Sequence, residues 1–258
     1  EVFIQDAPPC GEWVSFGKVK TTNEGDFGDQ YGIIDDGGRV FFPLELKDER
    51  SVGRHPVRML VHGDHSMASF DLLVLEPGTD AVVFDIDATL TTSDLQLILE
   101  VLSDVFFGNF VPDMYEGAPA VVHAWADKGY LVVYLTGRPD MLREASDSWL
   151  QDHGFPPGPL HLTETNLQVL PTSDGTGTYK TEFLYGLEGA GGVYLTAAYG
   201  NASTDIQAYE NAGVAKDRTF IIGSNAGDAG TTVLTGYPEH LPWVQEQPDA
   251  TNPAPAAY

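Results

Sequence analysis

From Asp80 onward, near-continuous apolar runs alternate with stretches that are apolar on one face only. Ala81-Val82-Val83-Phe84 and Leu131-Val132-Val133-Tyr134-Leu135 read as strands of a sheet covered on both sides. Val193 to Tyr199 and Thr219 to Ile222 predict two more strands. One helix lies between the first two, with Pro119 in its first turn, Val121, Val122 and Trp125 on one face, and Gly129 as its stop. A second helix is predicted to open at Pro139 and close at Gly154, with Leu142, Ala145, Trp149 and Leu150 inward. A third is capped by Ser203 or Thr204 and carries Ile206 and Tyr209. Strands alternating with helices predict an α/β domain with a parallel sheet.

The N-terminal part has a different rhythm. Gly32-Ile33-Ile34, Arg39-Val40-Phe41-Phe42, Val57 to Val61 and Ser69 to Leu75 are short β-type runs. Asp35-Asp36-Gly37-Gly38 and His62-Gly63-Asp64 are turn signals between them. This predicts a small β-sandwich over residues 1–78, joined through Glu76-Pro77-Gly78-Thr79 to an α/β domain over 79–242. Residues 243–258 form a tail, and its Pro/Ala-rich end, Thr251 to Tyr258, is expected to be unpacked.

Charge narrows the partners. The 258 residues hold 38 Asp plus Glu against 13 Lys plus Arg, a net charge of −25. That field repels nucleic acid and anionic membrane surfaces and attracts divalent cations. Cys10 is the one cysteine, so no internal disulfide forms. No apolar stretch approaches the roughly 18 residues of a membrane span, leaving at most peripheral membrane contact. The chain begins at Glu1 rather than Met, read here as the loss of an upstream segment, either a signal peptide or an arbitrary boundary. Together with the acidic, Lys-poor surface, this leans toward export.

The chemistry gathers at strand ends. Asp85 and Asp87 close the first strand, one residue apart, where alternation sends both to the same side. Crowded carboxylates need a cation, a proton or both. Thr136 follows the second strand, Lys180 stands in Tyr-Lys-Thr-Glu-Phe-Leu, and Asp205 follows Gly200-Asn201 after the third. In open α/β sheets ligands sit beyond the carboxyl ends of strands, so these segments are expected to share one crevice. For a phosphate monoester, Asp85 is a candidate nucleophile and Asp87 a candidate general acid and base. Thr136, Gly137 and Lys180 are candidate donors to the phosphoryl oxygens, and Arg138 either joins them or braces the strand-to-helix turn. Asp85 and Asp205, with Asp87 close by, are candidate ligands of Mg²⁺.

These residues resemble a family. Asp85-x-Asp87-x-Thr89, Thr136, Lys180 and Asp205 are similar to the four motifs of the haloacid-dehalogenase-type phosphatases. Phe84 to Thr91, Tyr134 to Asp140, Trp149 to Pro156 and Ala198-Tyr199-Gly200-Asn201 resemble the lipin-type phosphatidate phosphatase domain. Trp149 to Pro156 and Gly236-Tyr237-x-x-His240-Leu241 look most like the domain that ends the retinal-degeneration-B-type phosphatidylinositol transfer proteins. The likeness covers roughly residues 80–242. It implies a Rossmann-like parallel sheet with helices on both faces, an immunoglobulin-like partner domain, Mg²⁺ as cofactor, Thr89 among the substrate-binding residues, and hydrolysis of phosphatidic acid to diacylglycerol. Two departures stand out: Ala88 replaces a usual Gly and adds only a methyl, and Gly200-Asn201 stands where many superfamily members have Gly-Asp. The transfer-protein branch often looks degraded at the nucleophile, whereas Asp85 is intact.

Three other readings remain at this stage: a phosphatase of a soluble phosphomonoester, a non-catalytic phosphatidic acid-binding module, and an interaction protein working through its β-domain. Among lesser features, His62-x-x-His65 with Asp64 reads as a loop rather than a metal site. Asn201-Ala202-Ser203 matches a glycosylation sequon inside the expected site. Phe106, Phe107 and Phe110 read as packed core or cap, or as an apolar lip over a lipid.

Overall fold

The computed structural model describes residues 1–5, 11–28, 35, 37–42, 50–93, 112–163, 173–189 and 191–255. The chain divides into two compact units, one over Glu1–Glu76 and one over Pro77–Ala254.

The first unit contains a four-stranded antiparallel sheet in the order β2-β1-β3-β4. Its strands are β1 (Val2–Gln5), β2 (Trp13–Gly17), β3 (Gly53–Leu60) and β4 (Met67–Val74). Val2, Ile4 and Val57 alternate inward and gather Phe16, Val19, Phe42, Met59 and Leu72. On the other face the guanidinium of Arg58 covers the Trp13 ring at 3.9 Å. One sheet is therefore seen among the described residues; the run at Gly32-Ile33-Ile34 lies outside them. Arg39 to Phe42 is not a strand as expected. Thr22 ties it into a turn instead, its carbonyl accepting from Gly38 N–H and its hydroxyl from Arg39 N–H. His62 to Asp64 form the turn between β3 and β4, and His62 pairs with Glu1.

The second unit is a six-stranded parallel sheet in the order β10-β9-β8-β5-β6-β7. The strands are β5 (Asp80–Asp85), β6 (Leu131–Pro139), β7 (Leu160–Thr163), β8 (Tyr194–Gly200), β9 (Thr219–Ile221) and β10 (Thr232–Val233). The helices are α1 (Ala118–Asp127), α2 (Arg143–Asp152), α3 (Ser173–Gly189), α4 (Ser203–Asn211) and α5 (Tyr237–Gln245). Every residue of β5 and β6 is buried, as the unbroken apolar runs require. The chain steps from β5 to β6 and β7 on one side, then returns to β8 on the other. The carboxyl end of β5 is thus the switch point at which such sheets open a crevice.

Three local expectations change. Pro139 ends β6, a 3-10 turn covers Asp140–Leu142, and α2 starts only at Arg143. Within α2, Ala145 is exposed and Ser146 is buried in its stead. The chain beyond 242 is not loose up to residue 254: α5 runs to Gln245, and Thr251 and Asn252 donate their N–H groups to Asp80 Oδ2 at 2.7 and 2.9 Å. Ala254 N–H reaches the Gly129 carbonyl at 2.8 Å. Proline removes donors, but the intervening residues find buried acceptors that composition cannot show.

Candidate active site

β5 delivers Asp85 to the switch point, and two separate groups hold its oxygens. Lys180 Nζ, from α3, donates to Asp85 Oδ1 at 2.7 Å, and Thr89 Oγ1 donates to Oδ2 at 2.8 Å. Lys180 also donates to Asp205 Oδ1 at 2.5 Å. Asp205 stands in the first turn of α4, and its Oδ2 accepts the N–H groups of Asn201 and Ala202 at 3.0 and 2.9 Å. That bond closes the helix start, a task expected of Ser203 or Thr204. Gly200 makes it possible, since a Cβ there would lie 2.6 Å from the Asp205 Cβ.

Asp87 lies past the strand end, in the turn that begins there. Thr136 Oγ1 donates to its Oδ2 at 2.9 Å. Arg138 forks onto the same carboxylate, with Nε 3.0 Å and Nη2 2.8 Å from Oδ1. The remaining guanidinium arm, Nη1, donates to Ser146 Oγ at 3.0 Å. Thr136 and Arg138 sit near the end of β6, with Gly137 between them, and are 0% and 4% exposed. Each guanidinium nitrogen of Arg138 thus has a partner, so the side chain braces the turn between Asp87 and Ser146. Ser146 was missed in the sequence: a small polar residue on a helix carries no signal until its partner across the turn is known.

Electrostatics act strongly on Asp85. Burial raises its carboxyl pKa, Lys180 opposes the rise, and the charges of Asp205 and Asp87 add to it, leaving it pushed up to about 7. Burial opposes the charge on Lys180, but Asp205 and Asp85 outweigh it and hold the ammonium above its ordinary range. Three carboxylates against two cations leave this cluster one negative charge in excess.

These contacts engage all three carboxylates expected to hold the metal. Among the described residues no group of three His, Cys, Asp or Glu is arranged to hold a metal ion. Lys180 stands between Asp85 and Asp205, and Arg138 occupies Asp87. Oxygen donors do converge elsewhere. The single hydroxyl proton of Thr89 faces both Asp85 Oδ2 at 2.8 Å and Asn201 Oδ1 at 3.3 Å. Two oxygens sharing one proton, in a cluster of excess negative charge, fit a hard divalent cation. Asn201, seen in the sequence only as a departure, shares the Thr89 hydroxyl with Asp85.

Ala88 has φ 52°, in the left-handed region, so the methyl that replaces the usual glycine is strained rather than neutral. Phe106, Phe107 and Phe110 lie outside the described residues. No helix among the described residues is long and apolar enough to cross a membrane.

Comparison with known proteins gives a consistent neighbourhood. The family described as PITM 1-3, LNS2 domain, matches residues 82–223. The protein retinal degeneration B of Drosophila melanogaster is 33% identical over 252 residues, covering 95% of this chain and 17% of that protein. Human membrane-associated phosphatidylinositol transfer protein 1 is 34% identical over 223 residues, covering 86% of this chain and 15% of that protein. The chain thus spans about a sixth of the length of these relatives. Among solved structures, a phosphoserine phosphatase in apo form overlays with a TM-score of 0.43 at 15% identity, covering 64% of this chain and 98% of that one.

Proposed function

The chain belongs to the LNS2 domain family of the PITM 1-3 proteins, and we propose that it hydrolyses a phosphate monoester through covalent catalysis by Asp85. The observation that carries this reading is the intact Asp85–Lys180–Asp205 chain of contacts at the β5 switch point. In the first step an Asp85 oxygen attacks phosphorus, and the bond to the ester oxygen breaks as an aspartyl-phosphate forms. Lys180 stays anchored to Asp205 and turns its remaining proton toward the phosphoryl oxygens, with Thr136 beside it. Asp87 in its acid form gives its proton to the leaving oxygen, and in the second step it takes a proton back from the water that frees phosphate. A bound Mg²⁺, held by Asp85 and Asn201, would neutralise the phosphoryl charge that this acidic cluster otherwise repels.

The proposed substrate is phosphatidic acid. The name of the human relative speaks of phosphatidylinositol transfer and of membranes, which supports peripheral work on a phospholipid. It does not speak of export, and the lean toward secretion is dropped.

A second reading has a specific observation behind it. Arg138 grips Asp87 with two arms while its third arm is fixed on Ser146. A carboxylate held in this way is kept from turning to a leaving oxygen, which leaves a site that binds phosphatidic acid without turning it over. One experiment separates the two. Phosphate release from an aryl phosphate and from phosphatidic acid vesicles is measured with and without Mg²⁺, for wild type and Asp85→Asn. Mg²⁺-dependent release abolished by the substitution supports hydrolysis. Vesicle binding without release, indifferent to Asp85→Asn, selects the binding module.

A further inference from the structure

The Thr89 hydroxyl lies between Asp85 and Asn201, so the backbones that carry Thr89 and Asn201 must be held from behind. Two side chains outside the signature do this. Tyr237 donates its hydroxyl to the Thr89 carbonyl at 2.7 Å, and Asn225 donates its side-chain amide to the Asn201 carbonyl at 2.7 Å. We propose that Tyr237 and Asn225 are positioning residues that set where Thr89 and Asn201 meet Asp85. The functional half of this inference rests on the reading of Asp85 as the reacting carboxylate.

Tyr237 opens α5 and is 0% exposed. A buried phenol needs a partner. It finds one in the turn where Ala88 is strained, 148 residues away in the chain. The helix that carries it is itself fixed. Its Pro238 packs so closely on Gly117 that a Cβ there would lie 3.0 Å away. One turn on, His240 Nε2 meets the Tyr199 hydroxyl at 2.8 Å. Trp125 Nε1 donates to that same oxygen at 2.8 Å, so the Tyr199 hydroxyl is held from two sides. Tyr199 stacks on Phe84, the residue before Asp85, with ring centroids 4.4 Å apart. One face of α5 therefore holds both the strand end and the loop that follows it. Asn225 does the corresponding work in the loop after β9, at the other carbonyl.

Tyr237→Phe removes one oxygen and leaves the ring to fill its place. Amide hydrogen exchange read by mass spectrometry, on the whole chain, tests the brace itself. Exchange across residues 85–91 should rise about tenfold in Tyr237→Phe, as expected for one lost buried hydrogen bond. Tyr209→Phe, which loses a bond to the Tyr199 carbonyl instead, should leave that segment unchanged. Kinetics on an aryl phosphate then test the role. The expected result is a kcat about tenfold lower for Tyr237→Phe and about threefold lower for Asn225→Ala, with KM within twofold and melting within a few degrees of wild type. Unchanged exchange at 85–91 overturns the brace, whatever the activity. Raised exchange with kcat untouched, or a loss shared by Tyr209→Phe, reduces Tyr237 to a structural residue. If the wild type turns nothing over, the hydrolase reading falls and the exchange result still decides the brace.

Discussion

Asp85 and Asp87 are two residues apart at one strand end, 3% and 7% exposed, yet they are held by different chemistry. Asp85 shares a compact ammonium with Asp205, whereas Asp87 is gripped by a planar fork with a third arm fixed on Ser146. Lys180 can face an arriving phosphate without leaving Asp205. Asp87 cannot leave Arg138 without stranding a buried guanidinium. On the roles proposed for them, the nucleophile half of the site would be poised and the acid half locked. That proposal expects a preference for substrates whose leaving group needs no proton, and it puts the choice between hydrolysis and binding at Arg138 rather than at Asp85.

The largest effect is expected from breaking the poised half. Lys180→Met leaves Asp85 and Asp205 as buried like charges. Phosphate release should fall at least about 100-fold, and a urea titration should show a loss of about 3–5 kcal/mol. Turnover within tenfold of wild type would mean that Lys180 is only structural.

Unlocking the other half has a different signature. Arg138→Met removes the fork and frees the Asp87 side chain to turn toward a leaving oxygen. Stability should fall by about 3 kcal/mol, but the ratio of alkyl to aryl phosphate turnover should rise several-fold. An unchanged ratio would show that the fork does not restrain proton transfer.

How much of this was legible in the sequence follows from the same comparison. The strands betrayed themselves as unbroken apolar runs, and residues just past them had to meet at the sheet's carboxyl edge. Asp85 and Thr136 were expected at that edge for that reason, whereas Lys180 and Asp205 lie on helices and were picked out by their motifs. The partner of Asp87 was not, because it depends on which way a guanidinium turns across 51 residues of chain. Nor was the true task of Asp205, whose carboxylate closes a helix start as well as holding Lys180. Tyr237 was visible only as part of a family-like motif with no chemistry attached. The packing of Thr251 to Ala254 was hidden by a composition that ordinarily marks loose chain.

A smaller effect is expected at the turn joining the two halves. Ala88→Gly relieves a left-handed alanine at φ 52°. It should stabilise the fold by about 0.5–1 kcal/mol, the strain relieved less the added freedom of the unfolded chain. A lowered midpoint in urea would argue against strain at that residue.

The smallest effect lies behind α3, the helix that carries Lys180. His161 stacks on Tyr179 and Phe183, with centroids 5.2 and 3.8 Å away, and burial pushes its pKa down to about 4. The folded protein resists protonating it, while the unfolded chain takes the proton near 6.5. Stability from this residue is therefore present above about pH 6.5 and is lost as pH falls toward 4. His161→Phe keeps the stack and removes the titration. Its melting temperature should exceed that of wild type by a few degrees at pH 5 and converge with it by pH 7.5. Parallel curves would show that His161 titrates normally.

Whether Asp85 becomes phosphorylated is decided most directly in the Asp87→Asn variant. Without the base at 87, an aspartyl-phosphate formed from an aryl ester hydrolyses slowly and accumulates. Acid quenching followed by peptide mass spectrometry should find a phosphoryl group on the Asp85 peptide, dependent on Mg²⁺ and absent from the Asp85→Asn double variant. No phosphoryl group on Asp85, from a protein that still binds phosphatidic acid vesicles, would contradict covalent catalysis and leave the chain a binding module.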